Sequence, residues 1–242
     1  THRIFLPHIL KKADQIITPS LSTKKDLIDY LPPTKDKTKV VPLGAEDIFI
    51  PTTDKDIIKK YKLEKPYFLH TGTFEPRKNH LTLLDAYQLY RENGGRTTSL
   101  ILTGGTGWKS KKIHQAIKTH PYKDEIKILG FVDRQDLPTI LSQAHGFIFP
   151  SLYEGFGLPL LEAMKCGAPS ITAENSSLTE VGGSAALYFK TTDSTDLASK
   201  MEYLDDPLIR TSLKTASLQQ AKNFSWERHA EKFLELIEKT CK

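Results

Sequence analysis

Gly146-Phe147-Ile148-Phe149-Pro150-Ser151-Leu152-Tyr153-Glu154-Gly155-Phe156-Gly157-Leu158-Pro159-Leu160-Leu161-Glu162 is the stretch on which the fold turns. It opens as a short apolar strand that Pro150 stops. Pro159 suits the first position of a helix, where its missing amide hydrogen would have no partner in any case. Between strand and helix, Gly155 and Gly157 let backbone come close to a bound group. The free amides near Phe156, Gly157 and Leu158 then point out of a helix N-terminus, which is a ready anion site, and a diphosphate fits it.

Two carboxylates flank that site. Glu154 lies in the turn, and Glu162 reads as part of the helix's first turn. A carboxylate beside a phosphate is repulsive, so its place needs another reason. Accepting hydrogen bonds from sugar hydroxyls is one, because hydroxyls are neutral donors and carboxylates strong acceptors. Glu162 by itself is better explained as a complement to the helix dipole, worth about 0.3–1 kcal/mol. The string as a whole favours a ligand.

Working outward, short apolar runs alternate with helical ones. Tyr67 to Gly72 reads as a strand, and His80 to Tyr90 as an amphipathic helix with Leu81, Leu84 and Leu89 inward. Ser99–Thr103 is the next strand, followed by a helix from about Ser110, a strand over Ile126–Gly130 and a helix over 136–144. Beyond the central stretch come a helix from Pro159 to Lys165 and a strand from Ala168 to Thr172. Helices follow near 195–204, 208–222 and 226–239. Such alternation predicts an α/β fold, a Rossmann-like parallel sheet with helices on both faces. Ligands of open parallel sheets bind outside the carboxyl ends of the strands. The chemistry is therefore expected just after Gly72, Thr103, Gly130 and Phe149.

After Gly72 comes Thr73-Phe74-Glu75-Pro76-Arg77-Lys78-Asn79-His80. A guanidinium and an ammonium here would neutralise charge building up on a departing diphosphate. A solvated basic loop is the competing explanation. Gly104-Gly105-Thr106-Gly107 is a glycine-rich turn but not the dinucleotide pattern G-x-G-x-x-G. Asp54-x-Asp56 looks like a metal-binding pair, yet it opens a helix and not a strand end, so capping is expected. The histidines form no metal pattern such as H-E-x-x-H. His70 and His145 read as core residues.

Toward the N-terminus, Ala13 to Ser20 contains a short buried strand. A capped helix begins near Ser22 and ends at Pro32-Pro33, and Lys39–Leu43 is another short strand. Gly44 to Pro51 is turn-rich, and a domain boundary belongs there.

The bulk numbers narrow the classes. Hydrophobic content of 38% and charged content of 26% describe an ordinary globular chain. No apolar run approaches the ~18 residues of a bilayer span. Cys166 and Cys241 make no disulfide framework, so a reducing cytoplasm is the simpler setting. The net charge of +5 suits an anionic ligand or a membrane surface. The lysines at 35, 37 and 39 and at 109, 111 and 112 read as solvated faces, and no nucleic-acid motif accompanies them. The chain starts at Thr1 and its first residues read as the middle of something, which suggests a fragment.

Glu154-x7-Glu162 with Gly-Phe-Gly-Leu-Pro between, then Glu162-Ala163-Met164-Lys165-Cys166-Gly167-Ala168-Pro169 and Ser176-Ser177-Leu178-Thr179-Glu180-Val181-Gly182-Gly183, resembles the signature of glycosyltransferase family 4, whose fold is GT-B. The resemblance runs from about Ala13 to Lys239. It implies that Glu162 holds the nucleotide's ribose hydroxyls. Glu154, Gly155, Phe156, Gly157 and Leu158 would address the donor sugar and its distal phosphate. Gly72 and Thr73 would open the same crevice, and Val132 would meet the base. Arg77, Lys78 and Glu154 would be the catalytic set. Members commonly carry an arginine where this chain has Thr73. With Arg77 substituting, the loop resembles a mannosyl- or rhamnosyltransferase-like branch.

The implied activity is retaining transfer of a hexose from a UDP-, GDP-, ADP- or dTDP-sugar to a saccharide or lipid-linked acceptor in polysaccharide synthesis. No metal and no other cofactor is expected. The implied domains are a remnant of the N-terminal acceptor domain (1–46), a nucleotide-sugar-binding domain (47–220) and a terminal helix returning toward the first (221–242). Most of the N-terminal domain would be absent, so that a partner chain or a longer protein supplies it and this chain alone is inactive. A cytoplasmic place at the inner face of the membrane is compatible with the basic charge. Two other classes stay open: a nucleotide-sugar-binding regulatory module lacking the acceptor domain, and a related GT-B epimerase. A nicotinamide dehydrogenase is disfavoured by the missing fingerprint.

Overall fold

The computed structural model describes residues 2–63 and 66–241; Thr1, Glu64, Lys65 and Lys242 lie outside it, and with Thr1 the reading of the chain's start. The elements begin with α1 (His2–Lys12), β1 (Ile16–Thr18), α2 (Leu21–Tyr30), β2 (Thr38–Val40) and α3 (Lys55–Lys60). Then follow β3 (Tyr67–Thr71), α4 (His80–Glu92), β4 (Ser99–Thr103), α5 (Lys111–Thr119), β5 (Ile126–Gly130) and α6 (Leu137–Ser142). The second half holds β6 (Gly146–Phe149), α7 (Leu158–Lys165), β7 (Ser170–Ala173), α8 (Leu178–Gly182) and β8 (Ala186–Phe189). Three helices close the chain: α9 (Ser194–Tyr203), α10 (Pro207–Ala221) and α11 (Trp226–Thr240).

β1 and β2 form a small parallel sheet of their own. The other six strands build one parallel sheet in the order β5-β4-β3-β6-β7-β8. Helices cover both faces, α4 packing with α5 and α9, and α7 with α6, α8 and α10. The expected Rossmann-like layer is therefore present. From β3 the chain winds outward through β4 to β5, then returns to lay β6 on the other side of β3. The reversal point of the sheet lies between β3 and β6, where doubly wound folds leave a crevice.

Burial on both faces explains why the strands read as unbroken apolar runs. Phe68 and Leu69 of β3, Phe147 and Ile148 of β6, and Ile171 of β7 are all fully buried. Lys127, on edge strand β5, sends its ammonium to the Tyr61 and Lys62 carbonyls. β4 and β5 pair regularly to Leu102↔Ile128, after which Thr103 meets Gly130. Leu129 is thus an extra residue in a bulge that turns the end of β5.

Several local readings need correction. On α4 it is Leu83, with Leu84, that is buried, while Leu81 is 42% exposed. Helix spacing carries Leu81 onto the outer edge of the apolar stripe. The cap of α2 is Ser20, whose Oγ accepts from the Thr23 amide at 3.0 Å, so the helix starts at Leu21. α7 starts at Leu158, which puts Pro159 second in the helix and leaves no acidic residue in its first turn. Glu162 is in the second turn. α8 and β8 had no sequence expectation. Asp54 does cap α3, its Oδ1 accepting from the amides of Asp56 at 2.8 Å and Ile57 at 3.3 Å. No helix among the described residues is long and apolar enough to cross a membrane.

Candidate active site

The loops after β3 and β6 face each other across the reversal point and are stitched together. The Leu152 amide donates to the Arg77 carbonyl at 2.8 Å, and Arg77 Nη1 donates to the Tyr153 carbonyl at 3.0 Å. A 3-10 turn at Pro76–Lys78 leads into Asn79, which takes a left-handed conformation (φ 58°). Its Nδ2 reaches the carbonyls of Pro150 (3.1 Å) and Thr191 (2.8 Å). This tie aims the preceding basic pair at the β6 loop.

Both cations converge on Glu154. Lys78 Nζ lies 2.6 Å from its Oε1 and Arg77 Nη1 2.8 Å from its Oε2. Arg77 Nη2 also meets Glu75 Oε1 at 2.8 Å. Lys78 is only 8% exposed, and its ammonium sits 5.0 Å from the Phe149 ring centroid. A solvated basic loop would not hold its lysine this way. Past Glu154, the amides of Gly155, Phe156, Gly157 and Leu158 have no acceptor among the described residues. Gly157 caps α7 at φ 105°, a conformation that suits glycine.

Glu162 stands on the second turn of α7, buried, with Oε1 3.0 Å from Arg134 Nη2. Burial pushes its carboxyl above the usual range, against the opposing pull of Arg134. Dipole complementarity fades beyond a helix's first turn, so the competing explanation for Glu162 loses force. Arg134 also meets Glu46 Oε1 at 2.6 Å and lies over the Phe49 ring. The sequence reading had missed Arg134; its place just after a strand end was the available signal.

Gly72, Thr73, Val132 and Glu162 line one cleft of about 260 Å³, together with Gly104, Gly105, Phe131 and Pro159. Gly104 is at φ 131°, and a side chain there would meet the Gly72 carbonyl oxygen at 2.2 Å. Phe131, 88% exposed, stands at the mouth. The cleft does not include Arg77, Lys78, Glu154, Gly155, Phe156, Gly157 or Leu158 in its wall; these form the adjoining ion-pair cluster and turn. A larger cavity of about 740 Å³ between Pro76, Leu81 and Lys109–Ile113 contains none of the expected residues. Size alone would therefore point away from the residues expected from the sequence.

The histidines divide. His145 is held by Asp205 (Nε2 to Oδ1, 3.1 Å), as a core residue should be. His70 uses Nδ1 to reach the Ile148 carbonyl at 3.0 Å, which makes Nδ1 the donor and leaves the buried Nε2 without a partner. Burial lowers its pKa to about 4. Cys166 is buried, its thiol pushed up to about 12 by that burial, and Cys241 is exposed.

The chain is similar to known proteins over most of its length. The family described as "Glycosyl transferases group 1" matches residues 53–219. The O-antigen chain mannosyltransferase B of Escherichia coli is 35% identical over 223 residues, covering 90% of this chain and 58% of that protein. The serotype-specific mannosyltransferase WbdA of Escherichia coli is 30% identical over 228 residues, covering 91% and 28%. The chain thus spans little more than half of the first relative and under a third of the second. Anabaena HepE, solved in complex with UDP and glucose, superposes with a TM-score of 0.85 over 98% of this chain and 66% of HepE. At 20% identity that likeness speaks for the fold alone. The match spans both crevice loops and every strand of the six-stranded sheet, and on that ground the chain belongs to the glycosyl transferases group 1 family.

Proposed function

We propose that this chain carries the nucleotide-sugar site of a retaining, metal-independent hexosyltransferase. The observation that carries the reading is the meeting of Lys78 and Arg77 with Glu154 at the reversal point of the sheet. A donor diphosphate placed against the free amides of 155–158 would compete with Glu154 for both cations. As the bond to the sugar breaks, negative charge grows on the departing diphosphate, and fixed cations, of which Lys78 is nearly buried, stabilise it most where it is greatest. Glu154, released from the cations, would accept hydrogen bonds from the sugar hydroxyls. Glu162 would accept from the ribose, Val132 would face the base, and the diphosphate itself would help take the acceptor's proton. The names of the mannosyltransferase relatives support a hexose donor and, through the O-antigen chain named in the first, a saccharide acceptor; a lipid-linked acceptor and a place at the inner membrane face belong to the proposal alone.

The proposed domains are 1–46, 47–220 and 221–242. Support comes from the separate β1–β2 sheet and from α11, whose His229 Nδ1 hydrogen-bonds the Pro42 carbonyl at 2.9 Å. The acceptor half would come from a longer protein or a partner chain.

A thermal-shift screen against UDP-, GDP-, ADP- and dTDP-sugars tests the reading. A donor at 100 times its dissociation constant adds about 2.7 kcal/mol of stability. A shift with one nucleotide that disappears in Glu162→Ala and Arg77→Ala is the expected result. No shift with any donor, or a shift unchanged in both variants, would defeat it.

A further inference from the structure

Three consecutive carbonyls of the β6 loop are captured from three directions. Arg77 holds Tyr153 O, and Ser177 Oγ donates to Glu154 O at 2.9 Å. The hydroxyls of Ser20 and Thr23 both reach Gly155 O, at 2.8 and 3.0 Å. Ser20 Oγ also lies 3.0 Å from Thr23 Oγ1, and each hydroxyl has one proton, so Ser20 donates either to Thr23 or to the carbonyl while Thr23 donates to the carbonyl in both arrangements. This last pair belongs to the first turn of α2 and its cap, outside the six-stranded sheet.

A planar trans peptide keeps its C=O and the following N–H on opposite sides. Drawing Gly155 O toward α2 therefore turns the Phe156 amide away from α2. Drawing Glu154 O toward Ser177 turns the Gly155 amide away from Ser177 in the same manner. These are two of the amides that have no acceptor among the described residues. α2 is itself fixed against the site. The Leu21 and Ser22 amides each donate to Glu180 at 2.8 Å, and the Tyr153 hydroxyl donates to Asp26 Oδ2 at 2.6 Å. Thr23's hydroxyl accepts from Ser20 Oγ at 3.0 Å, but the cap itself is made by Ser20 Oγ accepting from the Thr23 backbone amide, which leaves the Thr23 hydroxyl proton for Gly155 O.

We propose that Ser20 and Thr23 are positioning residues for the donor's diphosphate: by holding the Gly155 carbonyl they set the peptide plane that presents the Phe156 amide. This rests on the reading of the 154–158 loop as the donor site. Neither residue need touch the ligand.

The test is a calorimetric titration of the 242-residue chain and its Thr23→Val and Thr23→Ser variants with GDP, GMP, UDP and UMP. Valine keeps the shape of threonine and leaves the Ser20 cap in place. Loss of one hydrogen bond's worth of preorganisation should weaken the preferred diphosphate about tenfold in Thr23→Val. The matching monophosphate should bind as before, the melting temperature should hold, and Thr23→Ser should restore the diphosphate. Equal weakening of mono- and diphosphate would mean a merely structural role and would overturn the proposal. So would undiminished diphosphate binding in Thr23→Val. A wild-type chain that binds neither of these diphosphates, nor ADP or dTDP, defeats the donor-site reading itself and the positioning role with it. That outcome is distinct, since it is visible before any substitution is made.

Discussion

Lys78 and Glu154 are 76 positions apart in the chain, yet their charged ends meet at 2.6 Å across the reversal point of the sheet. The pair satisfies a lysine that is nearly buried. It also means that the cations proposed for the diphosphate already have an anionic partner.

Substituting Glu154→Gln should therefore separate two kinds of binding. With their carboxylate gone, Lys78 and Arg77 should bind a nucleoside diphosphate more tightly, by roughly threefold to tenfold for an interaction of about 1 kcal/mol. Transfer from the sugar nucleotide should fall at the same time. Titration with the diphosphate, set beside a transfer assay on the longer protein, checks this. Weaker diphosphate binding would show that Glu154 shapes the cation pair and does not compete for it.

Glu162 should give donor binding an acid limb at unusually high pH. Burial raises its carboxyl above the ordinary 4.5, and only the ionised form is a full acceptor for ribose hydroxyls. Affinity should fall on acidification before an ordinary glutamate would protonate. In Arg134→Ala, which removes the opposing cation, the limb should move to still higher pH. For folding the sign is opposite. A carboxyl raised on folding adds stability below its unfolded value and loses that contribution as pH rises through the folded one. Donor titrations from pH 4 to 8 decide; an Arg134→Ala limb that stays in place or moves down argues against this account.

His70 predicts a stability loss in mild acid. Its pKa falls from 6.5 to about 4 on folding, chiefly by burial, so the neutral ring is the native form. A group depressed in this way contributes stability above its unfolded value and loses it as pH falls through the folded one. The loss should approach about 3 kcal/mol between pH 6.5 and 4. His80, stacked edge-on at 4.7 Å and lowered to about 2, should steepen the same limb. Urea unfolding across that range should show the slope, and His70→Gln should reduce it. A flat wild-type profile contradicts the assignment.

Gly104→Ala should damage the cleft more than the fold. The added carbon would lie 2.2 Å from the Gly72 carbonyl oxygen in a backbone conformation (φ 131°) that suits glycine. Overpacking of this kind costs about 1–3 kcal/mol. The 72–73 loop is the part expected to move. Circular dichroism should stay native-like while donor binding is lost. Retained binding would show that this loop does not line the donor site.

Much of the fold was legible because fully buried parallel strands leave apolar runs cut off by glycine or proline. Ser99–Thr103 was readable to the residue for that reason, and Ile126–Gly130, a partly buried edge strand, because Gly130 cuts off its apolar run. β8 was not, because Ala186–Phe189 is four residues long and follows a glycine-rich stretch with no periodic signal. At the site, the crevice residues could be named from the strand ends on which they stand. Their pairing could not. Arg134 finds Glu162, and Ser20 and Thr23 find Gly155, only after distant segments are brought together by the sheet.

The strand order also sets an order of assembly. β3, β4 and β5 pair between neighbours in the chain, and so do β6, β7 and β8. One junction joins these two sets: β3 against β6, where Phe68 aligns with Gly146 and His70 contacts the Ile148 carbonyl 78 positions away. Closing that longer loop costs more chain entropy than forming either half, and non-local pairings of this kind slow folding. The crevice lies along the junction. Each half can gather its helices while the binding surface is still two separate edges, and ligand competence should appear with the final, slowest phase of refolding.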